Sequence, residues 1–210
     1  MARYTGPRGK LCRRLGIPLS HISGKDPDKD PVGRRPYPPG QHGPSARMKV
    51  SDFGKRLREK QKLRLYYGIM EKQCRRYYYK ASKKKGNTGD NLLILLEQRL
   101  DALVMRLGLA TSIQQARQLV SHGHIDLNGV RAKTPSHHVK PGDVITVREK
   151  SKRLLIIEDA IGRNKARKLP SYLEFDEKNL EGTLKTVPDR AEIPVQIEDN
   201  LIVEYYAQRA

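Results

Sequence analysis

The sequence predicts an α+β protein in which a helical N-terminal domain is followed by a small module of two helices packed on a short antiparallel β-sheet. Three observations carry this expectation. From Ser51 apolar residues recur on a helical, cation-covered pattern; Leu93, Leu96, Leu100, Leu103 and Leu107 stand three and four apart; and Asn128-Gly129 separates two short segments of alternating polarity. By composition the chain divides into a basic, Pro- and Gly-rich arm (1–45), a basic helical domain (46–90), the mixed module (91–157) and an acidic C-terminal extension (158–210) expected to pack back on the body.

Within the arm, the run 34–43 (Arg-Arg-Pro-Tyr-Pro-Pro-Gly-Gln-His-Gly) can be neither helix nor central strand, because prolines remove donors and fix φ. It should be an extended loop. The run 25–31 (Lys-Asp-Pro-Asp-Lys-Asp-Pro) has a disordered composition, so whether the arm is ordered before it meets a partner stays open. Ser51 then offers an N-cap to a helix in which Leu57, Leu63 and Leu65 supply apolar positions and Lys55, Arg56, Arg58, Lys60, Lys62 and Arg64 cover most other surface. Gly68 should interrupt it. A second basic helix is expected from 69 to 81, before the breaker-rich run 83–89. It carries Tyr77, Tyr78 and Tyr79, and three consecutive positions on a helix point three ways. At least one ring should be core, although stacking on bases competes with packing as their use.

The leucine stripe predicts one buried helix face ending at Gly108, with Arg99 and Arg106 together on another face. Thr111 and Ser112, followed three residues later by Gln114 and Gln115, predict a capping-box start for a helix from Ile113 to Ser121. On it Ile113, Ala116 and Val120 should point inward, while Gln114, Arg117, Gln118 and Ser121 share the outer side. Ile125 and Leu127 alternate with polar residues before the Asn128-Gly129 turn, which predicts a hairpin, and Pro141-Gly142-Asp143 introduces a third strand from Val144 to Val147. For 197–206 periodicity does not decide between a strand and a packed tail.

Charge narrows the function. The chain holds 42 Lys and Arg against 23 Asp and Glu, a net +19, of which residues 1–90 carry +17, residues 91–168 carry +7 and residues 169–210 carry −5. Such a chain suits a polyanion. No apolar run exceeds the five residues 92–96, so no membrane span is expected; with no Trp, two Phe and no lipidation motif, a membrane surface is a poorer partner than nucleic acid. The basic N-terminus lacks the apolar stretch of a secretory signal, which points to a cytoplasmic address and to reduced Cys12 and Cys74.

Resident chemistry is sparse. Cys12, His21, His42 and Cys74 form no close ligand pair, and His122, His124, His137 and His138 sit among cations, so neither a metal nor another cofactor is expected. There is no phosphate loop or nucleophile elbow. Arg99-Leu-Asp101 is similar to the segment that carries the catalytic Asp of pseudouridine synthases, but Gln98 stands where those enzymes have Gly. An Asp101 paired with a neighbouring Arg is the preferred reading. No enzyme activity and no small-molecule substrate are expected.

Several motifs together resemble the S4 family of bacterial-type small-subunit ribosomal proteins. They are Pro-Pro-Gly-Gln-His-Gly at 38–43, Ser-Asp-Phe-Gly at 51–54, Leu-Arg-Glu-Lys-Gln-Lys at 57–62, Tyr67-Gly68, Leu-Leu-Glu-Gln-Arg-Leu-Asp at 95–101, Arg106-Leu-Gly108, Ala-Arg-Gln-Leu-Val-Ser-His-Gly-His-Ile at 116–125, Asn128-Gly129, Pro141-Gly142-Asp143 and the Glu204-Tyr-Tyr206 ending. Residues 97 to about 157 resemble the RNA-binding module that names the family and recurs in pseudouridine synthases. The resemblance implies a structural protein of the small ribosomal subunit that binds 16S ribosomal RNA directly and early, nucleates assembly of its 5′ domain and contributes to translational accuracy. Neighbouring ribosomal proteins and, in some members, the protein's own messenger are further implied partners. Some relatives bind zinc through four N-terminal cysteines; here only Cys12 remains and Gly9 stands where its partner would be, which fits the zinc-free branch. The arm would then be held by packing on RNA.

Binding of this kind rests on phosphate neutralisation, with shape supplying specificity. The candidate RNA-binding residues are Arg56, Lys60, Lys62, Arg75 and Arg76 in the first unit and Arg99, Arg106, Gln114, Arg117, Gln118, His122 and His124 in the second. The rival readings are an RNA-modifying enzyme of the pseudouridine synthase type, using the module for targeting, and a DNA-compacting protein.

Overall fold

The computed structural model describes residues 4–18, 22, 30–45, 49–164 and 168–208. Along them run α1 (Arg8–Leu15), α2 (Pro31–Arg34), α3 (Asp52–Tyr66), α4 (Glu71–Ser82), α5 (Thr88–Glu97), α6 (Leu100–Arg106), α7 (Ile113–His122), β1 (Ile125–Leu127), β2 (Val130–Ala132), β3 (Val144–Val147), α8 (Leu155–Asn164), β4 (Leu173–Asp176), β5 (Glu181–Leu184) and α9 (Asp199–Ala207). Two units result, one from 1–89 with 195–210 and the other from 90–194. Among the described residues no helix is long and apolar enough to cross a membrane.

In the first unit Ser51 caps α3 by accepting from the Gly54 N–H, and the helix stops before Gly68, whose φ of +58° lies in the left-handed region. The C-terminal segment whose form periodicity left open is the helix α9, and it packs on α3 and α4. Its Tyr206 stacks on Tyr78 with ring centroids 4.9 Å apart, so Tyr78 is the core ring of the three tyrosines. The described residues of the arm contact one another and the first helical domain. Cys12, Ile17 and Ile22 form an apolar cluster against Val32, Leu65 and Tyr66, and the Arg13 guanidinium donates to the carbonyls of Arg35, Tyr37 and Pro38. It also lies 4.8 Å from the Tyr37 ring centre. Arg13 thus ties α1 to the 35–38 segment.

The second unit contains a five-stranded antiparallel sheet in the order β2-β1-β3-β5-β4. Asn128 and Gly129 take φ of +51° and +75°, the paired positive values of the expected two-residue hairpin turn. The sheet is larger than the three strands expected, because residues beyond 157 supply β4 and β5. Gly182 of β5 lies under Leu107, whose side chain would stand 2.4 Å from any added Cβ. The 158–210 segment contributes to both units.

The leucine-striped helix is two helices. All five leucines are buried, as the stripe requires, but Arg99 is extended (φ −76°, ψ 142°) and bridges His138. The break has a satisfied backbone: the Leu100 and Asp101 N–H groups donate to the carbonyls of His137 and Pro135, and Val139 N–H donates to Gln98 O. Ser112 caps α7 by accepting from the Gln115 N–H, while Gln115 Oε1 accepts from the Thr111 N–H.

Candidate nucleic-acid interface

Many of the cations expected to face RNA are instead committed within the fold. Asp101 is fully buried and accepts from both guanidiniums beside it: Arg99 donates Nε to Oδ1 (2.9 Å) and Nη2 to Oδ2 (2.7 Å), and Arg117 donates Nη2 to Oδ2 (2.6 Å). Arg99 is 1% exposed and Arg117 8%, which corrects the outer placement of both. The reason is electrostatic: a carboxylate in the core draws in the nearest guanidiniums, and each can bury its charge only against it. The preferred pairing of Asp101 is the one found, and its carboxylate is sealed from any substrate.

Arg106 is likewise turned inward to the buried Glu97, which also accepts from the Tyr172 hydroxyl at 2.9 Å. In the first unit Lys60 is 3% exposed, donates to Glu71 at 2.7 Å and lies 4.7 Å from the Tyr205 ring centre. Arg56 donates to Glu204 at 2.6 Å, and Lys62 pairs with Glu59. Lys60 thus departs from the outward face expected, with the α9 ring of Tyr205 against it, whereas Arg56 and Lys62 are paired but stay part-exposed.

What remains outside is coherent. Gln114, Gln118 and His122 repeat every four residues along α7, with Gln118 and His122 exposed at its C-terminal end. Beyond the cap, His124 lies half-buried with its ring 6.1 Å from that of His122, and its Nδ1 lies 2.9 Å from Ser151 Oγ. Two residues missed by sequence reasoning complete the group. The exposed Arg131 of β2 donates to the carbonyls of Gly123 (3.2 Å) and His122 (2.9 Å), capping α7. Gly123 takes a φ of +72°, the left-handed backbone that glycine adopts without strain.

Arg148 donates its N–H to His124 O at 3.0 Å and has a loose ion pair with Asp126 at 3.6 Å. Burial first, then the charges of His122, Arg131 and Arg148, hold the His124 pKa below its ordinary value. Lys150 and Arg153 follow, both exposed. The pairing of β1 with β2 sets Asp126 opposite Arg131, and that hairpin register is the signal that could have placed Arg131 beside the helix end. The first unit presents a second basic face, the α4 residues Arg75 and Arg76 with the unforeseen Lys72 and Lys80, all exposed.

Cys12 and Cys74 are buried free thiols, each pushed up to about 11 by burial. His42 is exposed and His21 lies outside the described residues. Among the described residues no group of three or more His, Cys, Asp or Glu could hold a metal ion.

The family described as ribosomal protein S4/S9 N-terminal domain matches residues 3–97, and the S4 domain matches residues 98–145. The small ribosomal subunit protein uS4 of Geobacillus stearothermophilus is 52% identical over 208 residues, covering 99% of this chain and all of the relative. Its counterpart in Latilactobacillus sakei subsp. sakei is 54% identical, covering 98% and 99%. That of Enterococcus faecalis is 51% identical over the full length of both chains.

Proposed function

The chain belongs to the ribosomal protein S4 family, and from that membership we propose how its surfaces serve a structural protein of the small ribosomal subunit. It acts by binding ribosomal RNA, beside neighbouring ribosomal proteins in the cytoplasm, and not as an enzyme. The finer reading is direct, early binding of 16S ribosomal RNA at a junction in the 5′ domain, with effects on assembly and decoding accuracy; its own messenger is a further ligand. One observation supports this most: His122, His124, Arg131 and Arg148 gather at one helix end with a single loosely paired carboxylate, Asp126. That is a site for phosphates.

Affinity for a transcribed junction RNA should fall with salt, with a log–log slope of roughly −0.7 to −0.9 per phosphate contact. Arg148→Ala and Arg131→Ala should each reduce the slope by about one contact. Melting curves taken alongside separate lost contact from the lost helix cap of Arg131. A slope near zero, or equal affinity for duplex DNA of the same length, would refute this reading, the latter in favour of DNA compaction.

Affinity should also depend on pH. The depressed pKa of His124 keeps it neutral in the free protein, whereas a bound phosphate favours the imidazolium, so the complex takes up a proton. Binding should therefore tighten as pH falls from about 8 through the pKa in the complex and level off below the pKa of the free protein. His124→Gln should flatten the profile. If the parent binds no more tightly at low pH, no phosphate lies beside His124.

A further inference from the structure

Resting on the RNA-binding reading, we infer that α4 carries a separate docking site for single-stranded RNA, in which an unpaired base stacks on Tyr79 while Lys72, Arg76 and Lys80 neutralise the flanking phosphates. Lys72, Arg76 and Lys80 stand four residues apart, as do Arg75 and Tyr79, so the five share one broad helix face. All five are exposed, and Lys83 and Lys84 continue the charge past the helix end. Among the described residues none of Lys72, Arg76, Lys80, Lys83 or Lys84 pairs with a carboxylate, whereas five of the six basic residues of α3, Lys55, Arg56, Lys60, Lys62 and Arg64, are paired.

Tyr79 is an unusual residue for such a surface, since an aromatic ring 38% exposed contributes nothing to attracting a polyanion. It is also held in place. Arg75 donates Nε and Nη2 to the Tyr79 hydroxyl at 3.2 and 2.9 Å, with its guanidinium carbon 5.4 Å from the ring centre. Behind it lies the buried Tyr78, its ring centroid 5.8 Å away and tilted by 60°. A fixed ring loses little freedom on binding, and a base stacks on a π-face whatever its identity. A fully paired duplex keeps its bases inside the stack and gains only the cations. The occupant is therefore an unpaired stretch of RNA.

The test compares binding of a labelled oligouridylate of about ten nucleotides with binding of its duplex with oligoadenylate, using the full chain. The parent should prefer the single strand. Tyr79→Ala should lower single-strand affinity by about 5- to 100-fold and leave the duplex unchanged, while Tyr79→Phe, which keeps the π-face and loses only the Arg75 hydrogen bonds that hold it, should retain most of the parent's affinity. Lys80→Ala should weaken single strand and duplex alike and take about one contact from the salt slope. Equal single-strand affinity in the parent and Tyr79→Ala overturns the inference, as does a Tyr79→Phe protein as weak as Tyr79→Ala. Junction RNA binding by the parent, measured in parallel, distinguishes the two failures: if it is intact, only the α4 site is refuted, and if it is absent, the RNA-binding reading falls with it.

Discussion

Asp101→Ala should destabilise the 90–194 unit by about 3–5 kcal/mol, the cost of leaving buried guanidiniums without their counter-charge. Arg99 is 1% exposed and Arg117 8%, so water does not replace the lost carboxylate where they stand. For a unit of this size the loss corresponds to a melting point lower by roughly 15–30 °C. Hydrogen exchange should show the damage spreading from α6 into the 134–139 loop, because the Asp101 N–H is itself bonded to Pro135 O. Arg117→Ala should cost less, about 1–3 kcal/mol, since Arg99 keeps both of its bonds to Asp101. A loss below about 1 kcal/mol for Asp101→Ala would mean that the ion cluster does not hold the module together.

The outward placement of Arg117 shows where sequence reading stops. Helical spacing sets Gln114, Arg117, Gln118 and Ser121 on one side of α7, and on spacing alone the long basic residue belongs there. Spacing fixes direction around one helix but says nothing of a carboxylate on another. Asp101 is distant enough in sequence that its pull on Arg117 is visible only once α6 and α7 pack. The burial of Lys60 is hidden in the same way, because Tyr205 arrives from more than a hundred residues away, as does Glu204, the partner of the part-exposed Arg56. The local signals worked where the cause was local: Ser51 and Ser112 as caps, Gly68 as a stop, Asn128-Gly129 as a turn.

The same contrast explains β4 and β5. Neither has strong alternation, and β5 includes Gly182, which weakens the strand signal in the sequence. Its value is tertiary: the missing side chain lets β5 pass beneath Leu107 while pairing with β3. The proposed interface, His122 and His124 with Arg131 and Arg148, is half legible. Its histidines stand out in the sequence as a pair among cations, and its arginines need the hairpin register to be brought beside them.

Tyr206→Ala should be the most damaging single change in the first unit, at about 3–5 kcal/mol. The ring is 5% exposed, stacks on Tyr78 and meets Tyr205 edge-on at 5.4 Å, and its hydroxyl donates to Glu71 Oε1 at 3.0 Å. Burial, with Cys74 and Glu71 beside it, pushes the phenol pKa far up, so the hydroxyl remains a donor at any working pH. Truncation opens a cavity between α9 and α4 and leaves Glu71 to Lys60 and Arg64 alone. Tyr206→Phe keeps the packing and should lose only about 0.5–1.5 kcal/mol for the hydrogen bond. The consequence reaches function through Tyr78, which lies between Tyr206 and Tyr79 and backs the exposed ring. Hydrogen exchange of α4 and α9 should accelerate together in Tyr206→Ala, and single-strand RNA affinity should fall even though no RNA-facing residue has changed. If Tyr206→Phe proves as unstable as Tyr206→Ala, the hydrogen bond to Glu71 and not the aromatic stack is what anchors the C-terminal helix.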